Sequence, residues 1–345
     1  MNQLRNRNGT MRSRMEDVAA AAGVSMKTVS RVVNNEPNVR EEMRQRVLRA
    51  IEQLQYKPNF SARSLAGQRS YVIALVYNNP SRNYLMEIQS GMLDACRASH
   101  YSLVLAPVSS HKAKRPDDLQ AVFENFSPDG VVLIPPLTDD ANVIDFLEAH
   151  GTPFACIAPK HPDRRIGAMM EETAAVRELV NGVIALGHRR IGHIKGPPAH
   201  GACQWRYKGY RQALEDNGIG LDPTLIVQGA FSFESGITAA NELLDLPDPP
   251  TAIFAANDDM AAGVIRAAFE RGLRIPRDLS VCGFDDTPIA RHIYPALSTV
   301  QQPTAEMGRV ATMQLLERMR AADAGAMVHV GHTVVFREST AKPRR

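Results

Sequence analysis

The chain has 345 residues, which is enough for two or three domains, and its 44% hydrophobic and 22% charged residues are typical of globular proteins. The formal net charge of +3 excludes a strong basic field over the whole molecule, yet residues 1–69 hold thirteen Lys or Arg against six Asp or Glu. That local surplus is what a nucleic-acid-binding segment on a near-neutral body requires. The sequence contains neither a membrane-length apolar run nor a secretory signal, so we expect a cytoplasmic, nucleoid-associated protein.

The cysteines are scattered and include no C-x-x-C pair, which favours buried free thiols over metal or disulfide chemistry. His188 and His193 are spaced like metal ligands, but no third ligand follows at a matching distance in the sequence. We interpret them as a turn residue and a strand residue, and we predict no metal and no cofactor. The cysteines are Cys96, Cys156, Cys203 and Cys282.

Residues 15–57 have the pattern of a helix-turn-helix DNA-binding domain. Ala-rich residues 16–22 predict a first helix, which Gly23 ends because glycine accepts a positive φ without steric cost. Ser25 is expected to cap a second helix over residues 26–33. Two short helices joined by a glycine-containing turn place the second helix in the major groove of DNA.

A third helix is predicted over residues 41–55, with Met43, Val47, Ile51 and Leu54 on one apolar face. This face and the buried face of the second helix would close a three-helix core. The polar and basic residues 1–14 precede the domain. They are either a frayed tail or an arm that follows the phosphates. The buried face of the second helix is expected to be Val29, Val32 and Val33.

The segment Asp17-Val-Ala-x-x-Ala-Gly-Val-Ser-x-x-Thr-Val-Ser-Arg-Val-Val-Asn34 resembles the N-terminal signature of the lac-repressor/gal-repressor family of bacterial transcription regulators. The resemblance implies that Lys27 and Arg31 read base edges, while nearby polar side chains hold phosphates. Family members usually carry Ser or Thr where this chain has Arg40, so we expect a weaker helix cap there. The DNA-contacting residues that the resemblance implies are Ser25, Met26, Lys27, Thr28, Ser30, Arg31, Asn34, Tyr56, Asn59, Ala62 and Leu65.

Residues 58–69 are similar to the hinge helix of that family. The likeness is carried by Pro58-Asn59 and by Leu65-Ala-Gly67. The segment is too short to be helical by itself in water, so we expect it to fold only when DNA holds it. The resemblance places Leu65 where two copies in a dimer can wedge into a minor-groove base step and kink the DNA.

From residue 70 onward, short apolar runs alternate with amphipathic stretches, which predicts parallel strands covered by helices on both faces. The runs form two series, so we predict an α/β body of two doubly wound subdomains with a ligand crevice at the carboxyl ends of the strands. The N-subdomain is expected to comprise residues 70–170 and 303–328, and the C-subdomain residues 171–302 and 329–345. The strands are predicted at 72–76, 103–106, 130–134, 154–157, 191–194, 225–227, 252–255, 279–282, 297–300 and 328–336.

The body resembles the same family over essentially its whole length. Matching segments include Leu186-Gly-His-Arg-Arg-Ile191, Arg206-x-x-Gly-Tyr210 and Ser280-Val-Cys-Gly-Phe-Asp-Asp-Thr287. The resemblance implies a periplasmic-binding-protein-like body, in which two hinged subdomains close on a ligand. Many family members have an aromatic pair near the position of Arg82-Asn-Tyr-Leu85. We expect Tyr84 to supply the aromatic wall here.

The side chains that follow the predicted strands suit a polyhydroxylated effector. Arg206 offers five fixed donors for hydroxyl or carboxylate oxygens, and Phe231 can stack on the apolar face of a sugar or base. Asparagine and aspartate side chains at strand ends supply acceptors. The predicted effector-binding residues are Tyr84, Arg206, Phe231, Asn257 and Asp285.

Several of these acceptors have simpler interpretations that the sequence leaves open. Asp258, which we also expect near the crevice mouth, is equally suited to cap the following helix. Asp285 and Asp286 are common types of turn residue. Phe231 is also the kind of side chain that fills a core.

These features predict a transcription regulator, most simply a repressor, that binds a pseudo-palindromic operator as a homodimer under the control of a sugar or glycoside. A sugar-metabolising enzyme on an α/β body would have a similar pattern of strands, but the sequence lacks a P-loop and a G-x-G-x-x-G after the first strand. A regulator with a purine-type co-repressor and a solute-binding protein are two further possibilities. We expect no tetramer, because no leucine heptad follows the body.

Overall fold

The computed structural model of the protein describes residues 13–33, 39–56, 69–79, 81–198 and 200–344. The chain separates into two units at the junction of Arg69 and Ser70, and we call them the head (residues 1–69) and the body (residues 70–345). Within the described ranges, no helix is both long enough and apolar enough to span a membrane.

The head folds around one apolar core. Its helices are α1 (Met15–Ala22), α2 (Met26–Val33) and α3 (Glu41–Gln53). Gly23 has a φ of 62° between α1 and α2, the left-handed conformation that the predicted turn requires. The Ser25 hydroxyl oxygen accepts a hydrogen bond of 3.2 Å from the Thr28 backbone N–H, so the predicted cap of α2 is present. The buried core residues are Val18, Ala19, Ala22, Val29, Val32, Val47, Ala50 and Tyr56.

The apolar face of α3 differs from the predicted one. Met43 is 38% exposed, so its expected place in the core is wrong. Val47 and Ala50 are the buried residues of this helix. The Arg40 side chain, which precedes α3, makes no capping hydrogen bond with the described residues, in agreement with the expected weak cap.

The body alternates strands and helices along most of its length. Its helices are α4 (Arg82–Ala98), α5 (Arg115–Phe126), α6 (Ala141–Ala149), α7 (Glu172–Ala185), α8 (Gly201–Asp216), α9 (Phe233–Leu244), α10 (Asp258–Glu270), α11 (Pro288–His292) and α12 (Thr304–Arg320). Its strands are β1 (Val72–Tyr77), β2 (Ser102–Pro107), β3 (Gly130–Leu133), β4 (Phe154–Ile157), β5 (Gly167–Met169), β6 (Ile191–Lys195), β7 (Ile226–Gln228), β8 (Ala252–Ala255), β9 (Ser280–Cys282), β10 (Thr299–Gln301), β11 (Met327–His329) and β12 (Thr333–Val335).

The strands of the body form two parallel sheets and a small antiparallel pair. In the described part of the chain, one sheet has six strands in the order β11-β5-β4-β3-β1-β2, and another has four in the order β7-β6-β8-β9. In each sheet, the second strand in the chain lies on one side of the first, and the next strands are added on the other side. This is the doubly wound arrangement. The predicted fold class, a helical head with a body of two doubly wound parallel sheets, is therefore confirmed.

The end of the chain departs from the predicted strand at 328–336. Two strands occupy this stretch: β11 pairs in parallel with β5, and β12 pairs antiparallel with β10. Gly331 lies between them in open space, so the chain changes direction there without steric conflict. The sequence analysis also did not identify β5, α5, α6 and α11.

Helices α4 and α12 approach each other at two glycines. A Cβ atom on Gly91 would lie 1.7 Å from the Ala305 carbonyl oxygen, and one on Gly308 would lie 2.4 Å from the Ile88 carbonyl oxygen. Backbone therefore packs directly on backbone, and no larger residue fits. Because α12 also packs against β3, β4 and β5, this contact holds α4 beside the six-stranded sheet.

Candidate functional site

Helix α2 turns its polar residues away from the core of the head. Val29 and Val32 are buried, whereas the residues between and before them reach the surface. A helix built this way presents a continuous polar face to a partner while its apolar stripe holds it to the fold. The predicted DNA-contacting residues that are exposed or partly exposed are Ser25, Met26, Lys27, Thr28, Ser30 and Arg31.

Tyr56 is placed differently from these residues. It is 7% exposed and belongs to the core of the head, and its backbone N–H donates to the Ile51 carbonyl oxygen at 3.0 Å. Burial raises the pKa of the Tyr56 phenol, so this hydroxyl stays protonated and can donate a hydrogen bond. Its contact with a phosphate remains a prediction.

The rest of the predicted DNA-contacting residues lie outside the described residues. This group comprises one residue after α2 and three in the predicted hinge, so their roles also remain predictions. The predicted hinge helix and most of the N-terminal tail fall in the same ranges. The four residues are Asn34, Asn59, Ala62 and Leu65.

Arg46 on α3 has a role that the sequence analysis missed. Its Nη2 donates to the carbonyl oxygen of Ala22, the last residue of α1, at 2.6 Å. This charged donor satisfies a carbonyl that the end of a helix leaves without an intrahelical partner. It therefore ties α3 to the turn that aims α2.

The body holds a crevice with about 410 Å³ of empty space, part of which is open to solvent. Its lining residues follow the carboxyl ends of strands in both parallel sheets, where ligand sites of such folds lie. Tyr84 joins them from α4. After the strands of the six-stranded sheet come Asn79, Ser81, Pro135, Ala158 and Glu172, and after the remaining strands come His200, Ala202, Arg206, Phe231, Asn257, Asp285 and Gln302.

Arg206 on α8 lies at the centre of this crevice and is 4% exposed. Its Nε donates to the Glu172 carboxylate at 2.7 Å, its Nη1 donates to the Ala256 carbonyl, and its Nη2 donates to Gln302 Oε1 at 3.4 Å. The guanidinium also lies 3.7 Å from the centre of the Phe284 ring, a cation–π distance. The predicted ligand-gripping arginine is in place, but protein groups occupy each of its nitrogens.

Asp285 follows β9 with a φ of 115°, an uncommon backbone conformation for a residue with a side chain. Its side chain is 7% exposed, and its Oδ1 lies 3.6 Å from Arg206 Nη2. This oxygen has no hydrogen-bond partner among the described residues. Burial raises the pKa of Asp285 well above its ordinary range, although Arg206 opposes the rise. A buried acceptor without a donor suits a ligand hydroxyl.

Phe231 lies between β7 and α9, as predicted, with a φ of 61°. Its ring contacts His200 edge to face at 5.4 Å, and the Arg206 guanidinium lies 5.8 Å from its centre. Burial lowers the pKa of His200 to about 4, with the positive charge of Arg206 adding to the effect, so its imidazole is neutral. Phe231 and His200 therefore form an uncharged aromatic wall.

Asn257 and Tyr84 also line the crevice, but Asn257 is committed to the fold. The Asn257 Oδ1 accepts from the Met260 backbone N–H at 3.0 Å and thereby caps α10, while its Nδ2 donates to the Phe231 carbonyl at 3.2 Å. Tyr84 is 8% exposed and donates its backbone N–H to Ser81 Oγ at 3.4 Å. Asn257 thus fixes the backbone on which Phe231 sits.

The neighbouring carboxylates do not reach the crevice, which corrects the expectation that they supply acceptors at its mouth. Asp258 accepts hydrogen bonds from the Thr287 backbone N–H at 2.8 Å and from the Thr299 hydroxyl at 2.6 Å. Asp286 forms an ion pair with Arg337 at 2.7 Å. Burial raises the pKa of Asp258 to about 7. These two side chains hold the loop that presents Asp285.

The sequence analysis missed five polar residues of the crevice: Asn79, Ser81, Glu172, His200 and Gln302. Glu172 comes two residues after Met170, just beyond the short strand β5, and Gln302 directly follows β10. Since both obey the strand-end rule that found Asp285, recognition of these three-residue strands would have located them. Short strands lack the run length on which periodicity depends.

The histidines and cysteines are structural, as expected. His188 bonds through both ring nitrogens, to the Thr251 hydroxyl and to the Ala341 carbonyl, each at 2.8 Å. His193 is buried on β6 and stacks on the Phe254 ring at 4.8 Å. The four cysteines are buried free thiols, which confirms that prediction. In the ranges that the structure covers, no three His, Cys, Asp or Glu side chains are arranged to hold a metal ion.

Comparisons with known proteins agree with this geometry. Residues 14–59 match the family model of bacterial regulatory proteins of the lacI family, and residues 180–340 match a periplasmic binding protein-like domain. The ribose operon repressor of Haemophilus influenzae is 33% identical over 307 residues, which cover 89% of this chain and 92% of the relative. The catabolite control protein A of Priestia megaterium is 32% identical over 330 residues, 94% of this chain and 98% of the relative.

The chain belongs to the lacI family of bacterial regulatory proteins. It is therefore a DNA-binding transcription regulator, and an enzymatic function is excluded. Among solved structures, the lac repressor dimer bound to operator and an anti-inducer superposes with a TM-score of 0.77 at 28% identity, covering 96% of this chain and 99% of that one. A CelR–cellobiose complex gives a TM-score of 0.73 at 32% identity, covering 95% and 100%.

Proposed function

We propose that this lacI-family regulator is a cytoplasmic repressor that binds a pseudo-palindromic operator as a homodimer and responds to a sugar or glycoside. The observation that carries the effector assignment is the buried Asp285 Oδ1, which lies beside Arg206 and the aromatic wall and has no donor among the described residues. Such a site suits a ligand with several hydroxyls. The proposal is supported by the cellobiose bound to the similar CelR and by the operator bound to the similar lac repressor dimer.

The DNA-binding part of the proposal rests on the polar face of α2. Lys27 is exposed and Arg31 is partly exposed there, one turn apart on the same face of the helix. Lysine and arginine make the commonest specific contacts to guanine in the major groove. We assign base reading to these two residues, and we assign the predicted phosphate contacts to Thr28, Ser30, Asn34 and Tyr56.

The division of labour follows the predicted bounds. We assign DNA binding to residues 15–57, coupling to residues 58–69, and effector binding and dimerisation to residues 70–345. Within the body, the proposed N-subdomain contains residues 70–170 and 303–328. The rest of the body forms the proposed C-subdomain.

The first experiment identifies the operator and the effector class. The purified protein is tested for a mobility shift on DNA upstream of its own gene, and then for release or tightening by sugars, glycosides and nucleobases. We expect a specific shift that a sugar or glycoside modulates. A response to purines alone would contradict the sugar assignment and would favour a purine-type co-repressor.

The second experiment tests the crevice through Asp285→Asn, which removes the charge with little change of shape. We expect loss of the sugar response together with retained operator binding. Asp248→Asn is the control, because its side chain is 82% exposed and pairs with Arg190 rather than facing the crevice. This control is expected to keep both operator binding and the effector response. An unchanged effector midpoint in Asp285→Asn would contradict the assignment.

A further inference from the structure

We propose that the crevice selects its ligand by charge: it accepts neutral sugars and rejects sugar acids and sugar phosphates, and Glu172 sets this selection. The inference rests on the proposed sugar-effector function and narrows it to one class of sugar. The geometry around Arg206 carries it in three steps.

The first step is the balance of charges on the crevice wall. Among the residues that line it, Glu172 and Asp285 are carboxylates and Arg206 is the cation, while His200 is neutral. Glu172 is 2% exposed and Arg206 is 4% exposed, so water screens these charges weakly. An anionic ligand would therefore add a negative charge where acidic groups already match or outnumber the single cation.

The second step is the occupancy of the Arg206 guanidinium. Carboxylates and phosphates bind arginine best through two parallel N–H bonds along one edge of the fork. Here the Nε points at the Glu172 carboxylate at 2.7 Å, and the other two nitrogens donate to Ala256 and Gln302. A ligand anion on the edge that includes the Nε would have to displace Glu172 from a buried hydrogen bond, and at the other two nitrogens it would share the donors with Ala256 and Gln302.

The third step is that Asp285 requires a hydrogen-bond donor from the ligand. Its Oδ1 is buried and receives no hydrogen bond from the described residues. A sugar hydroxyl can donate to this oxygen, whereas an ionised carboxylate or phosphate presents acceptors only. The same site therefore favours a neutral polyol and opposes the oxidised or phosphorylated form of that polyol.

The test removes the negative charge at Glu172 while retaining an acceptor for Arg206. Glu172→Gln does this, since the amide oxygen can still accept from the Arg206 Nε. Glu171→Gln is the matched control: the preceding glutamate is 62% exposed and bonds His329 at 2.8 Å, outside the crevice. The probes are glucose, galactose and ribose, each beside its acid or phosphate: glucuronate, galacturonate and ribose 5-phosphate. Binding to the full-length protein is measured by thermal shift and calorimetry at constant ionic strength.

We expect the wild type and Glu171→Gln to bind none of the anionic probes. Glu172→Gln is expected to bind at least one anionic probe, with an apparent Kd at least about tenfold below the highest probe concentration at which the wild type shows no binding. Two results would overturn the inference: an anionic probe that binds the wild type as tightly as its neutral partner, or a Glu172→Gln variant that gains no anion binding.

The neutral probes report on the proposed function separately. If no neutral sugar binds the wild type, the sugar-effector assignment fails, while a gain of anion binding in Glu172→Gln still supports charge selection. Circular dichroism melting shows whether this variant folds. If it does not fold, Asp285→Asn removes the other acidic group of the crevice wall and leaves the Glu172–Arg206 pair intact, and a gain of anion binding is again expected.

Discussion

At the scale of the residue, the contacts of each charged side chain within the protein determine whether that side chain can bind a ligand or DNA. Lys27 is exposed on α2, so it is available to bases. Arg206 is enclosed by Glu172, Ala256, Gln302 and Asp285, so it orders the crevice as much as it can bind a ligand. A cationic side chain is thus exposed for the proposed DNA contact in one unit and organises the proposed effector crevice in the other.

The first residue-scale prediction concerns base reading. Arg31→Ala is expected to cost about 1–3 kcal/mol of operator affinity and to relax specificity at one base pair, because a bidentate contact to a base is lost. Fluorescence anisotropy on operator and on random DNA measures both effects. The control is Arg49→Ala, an exposed arginine on α3. Equal weakening on both DNAs would show that Arg31 holds only the backbone.

The second residue-scale prediction concerns pH. Burial raises the pKa of Asp258 from 3.8 to about 7, so the folded state keeps a proton that the unfolded state releases. This contribution to the free energy of unfolding is fully present below pH 3.8 and is lost as pH rises towards 7. The expected slope is about −1.4 kcal/mol per pH unit within that window.

Urea unfolding of Asp258→Asn across this window measures the contribution, which the variant should remove. Its stability is therefore expected to depend less on pH than that of the wild type. The control is Asp248→Asn, whose side chain is 82% exposed and which should follow the wild type. A variant with the wild-type slope would assign the effect to other carboxylates.

At the scale of the element, glycines decide how closely α4 and α12 pack. The Gly91 and Gly308 contacts put the backbone of each helix against the other. Since α12 also covers β3, β4 and β5, this pair is part of the wall that carries Tyr84 towards the crevice. The position of Tyr84, the proposed aromatic ligand contact, therefore depends on glycines that do not line the crevice.

The element-scale prediction is that Gly91→Ala lowers the free energy of unfolding by at least about 1–3 kcal/mol, because the added methyl group must push the helices apart. Gly220→Ala is the matched control, since a Cβ at Gly220 meets no atom within 4 Å. Urea unfolding, followed by a spectroscopic signal from the body, measures the free energy of unfolding of both variants. Equal stability of the two would mean that α4 and α12 separate without cost.

At the scale of the whole molecule, the head and the body are separate units that a short segment connects. If effector binding changes the affinity for operator by some factor, thermodynamic linkage requires operator binding to change the affinity for effector by the same factor. The predicted hinge, residues 58–69, is the only covalent route between the two sites in each chain. Whether this segment is folded must therefore affect any coupling between effector binding and operator binding.

The whole-molecule prediction is that the hinge folds when it binds DNA and that Leu65 kinks the operator. Amide exchange should protect residues 58–66 only with operator present, because so short a helix is unstable alone. Leu65→Ala should reduce the DNA bend in a circular-permutation assay, since the apolar wedge is missing. Protection without DNA, or normal bending by the variant, would contradict this mechanism.

The sequence alone determined the local elements and the general location of both sites. The alanine-rich helix, Gly23 and Ser25 specify the helix-turn-helix by local chemistry, since capping and turn conformation depend on adjacent residues. The two series of apolar runs specified parallel sheets, and the strand-end rule then placed Phe231 and Asp285 in one crevice, whereas Arg206 was located by the family resemblance. These inferences need only short-range order and one topological rule.

Only the tertiary structure decided which of these side chains are engaged and which are open. Asp258 and Asp286 satisfy the same sequence rule as Asp285, yet they face Thr299 and Arg337 instead of the crevice. Glu172 and Arg206 are 34 positions apart in the sequence, and no local sequence pattern predicts that they pair. Direction and pairing depend on contacts between distant segments, which form only when the whole body packs. For this reason the sequence located the crevice, whereas the tertiary structure determined which charged side chains line it.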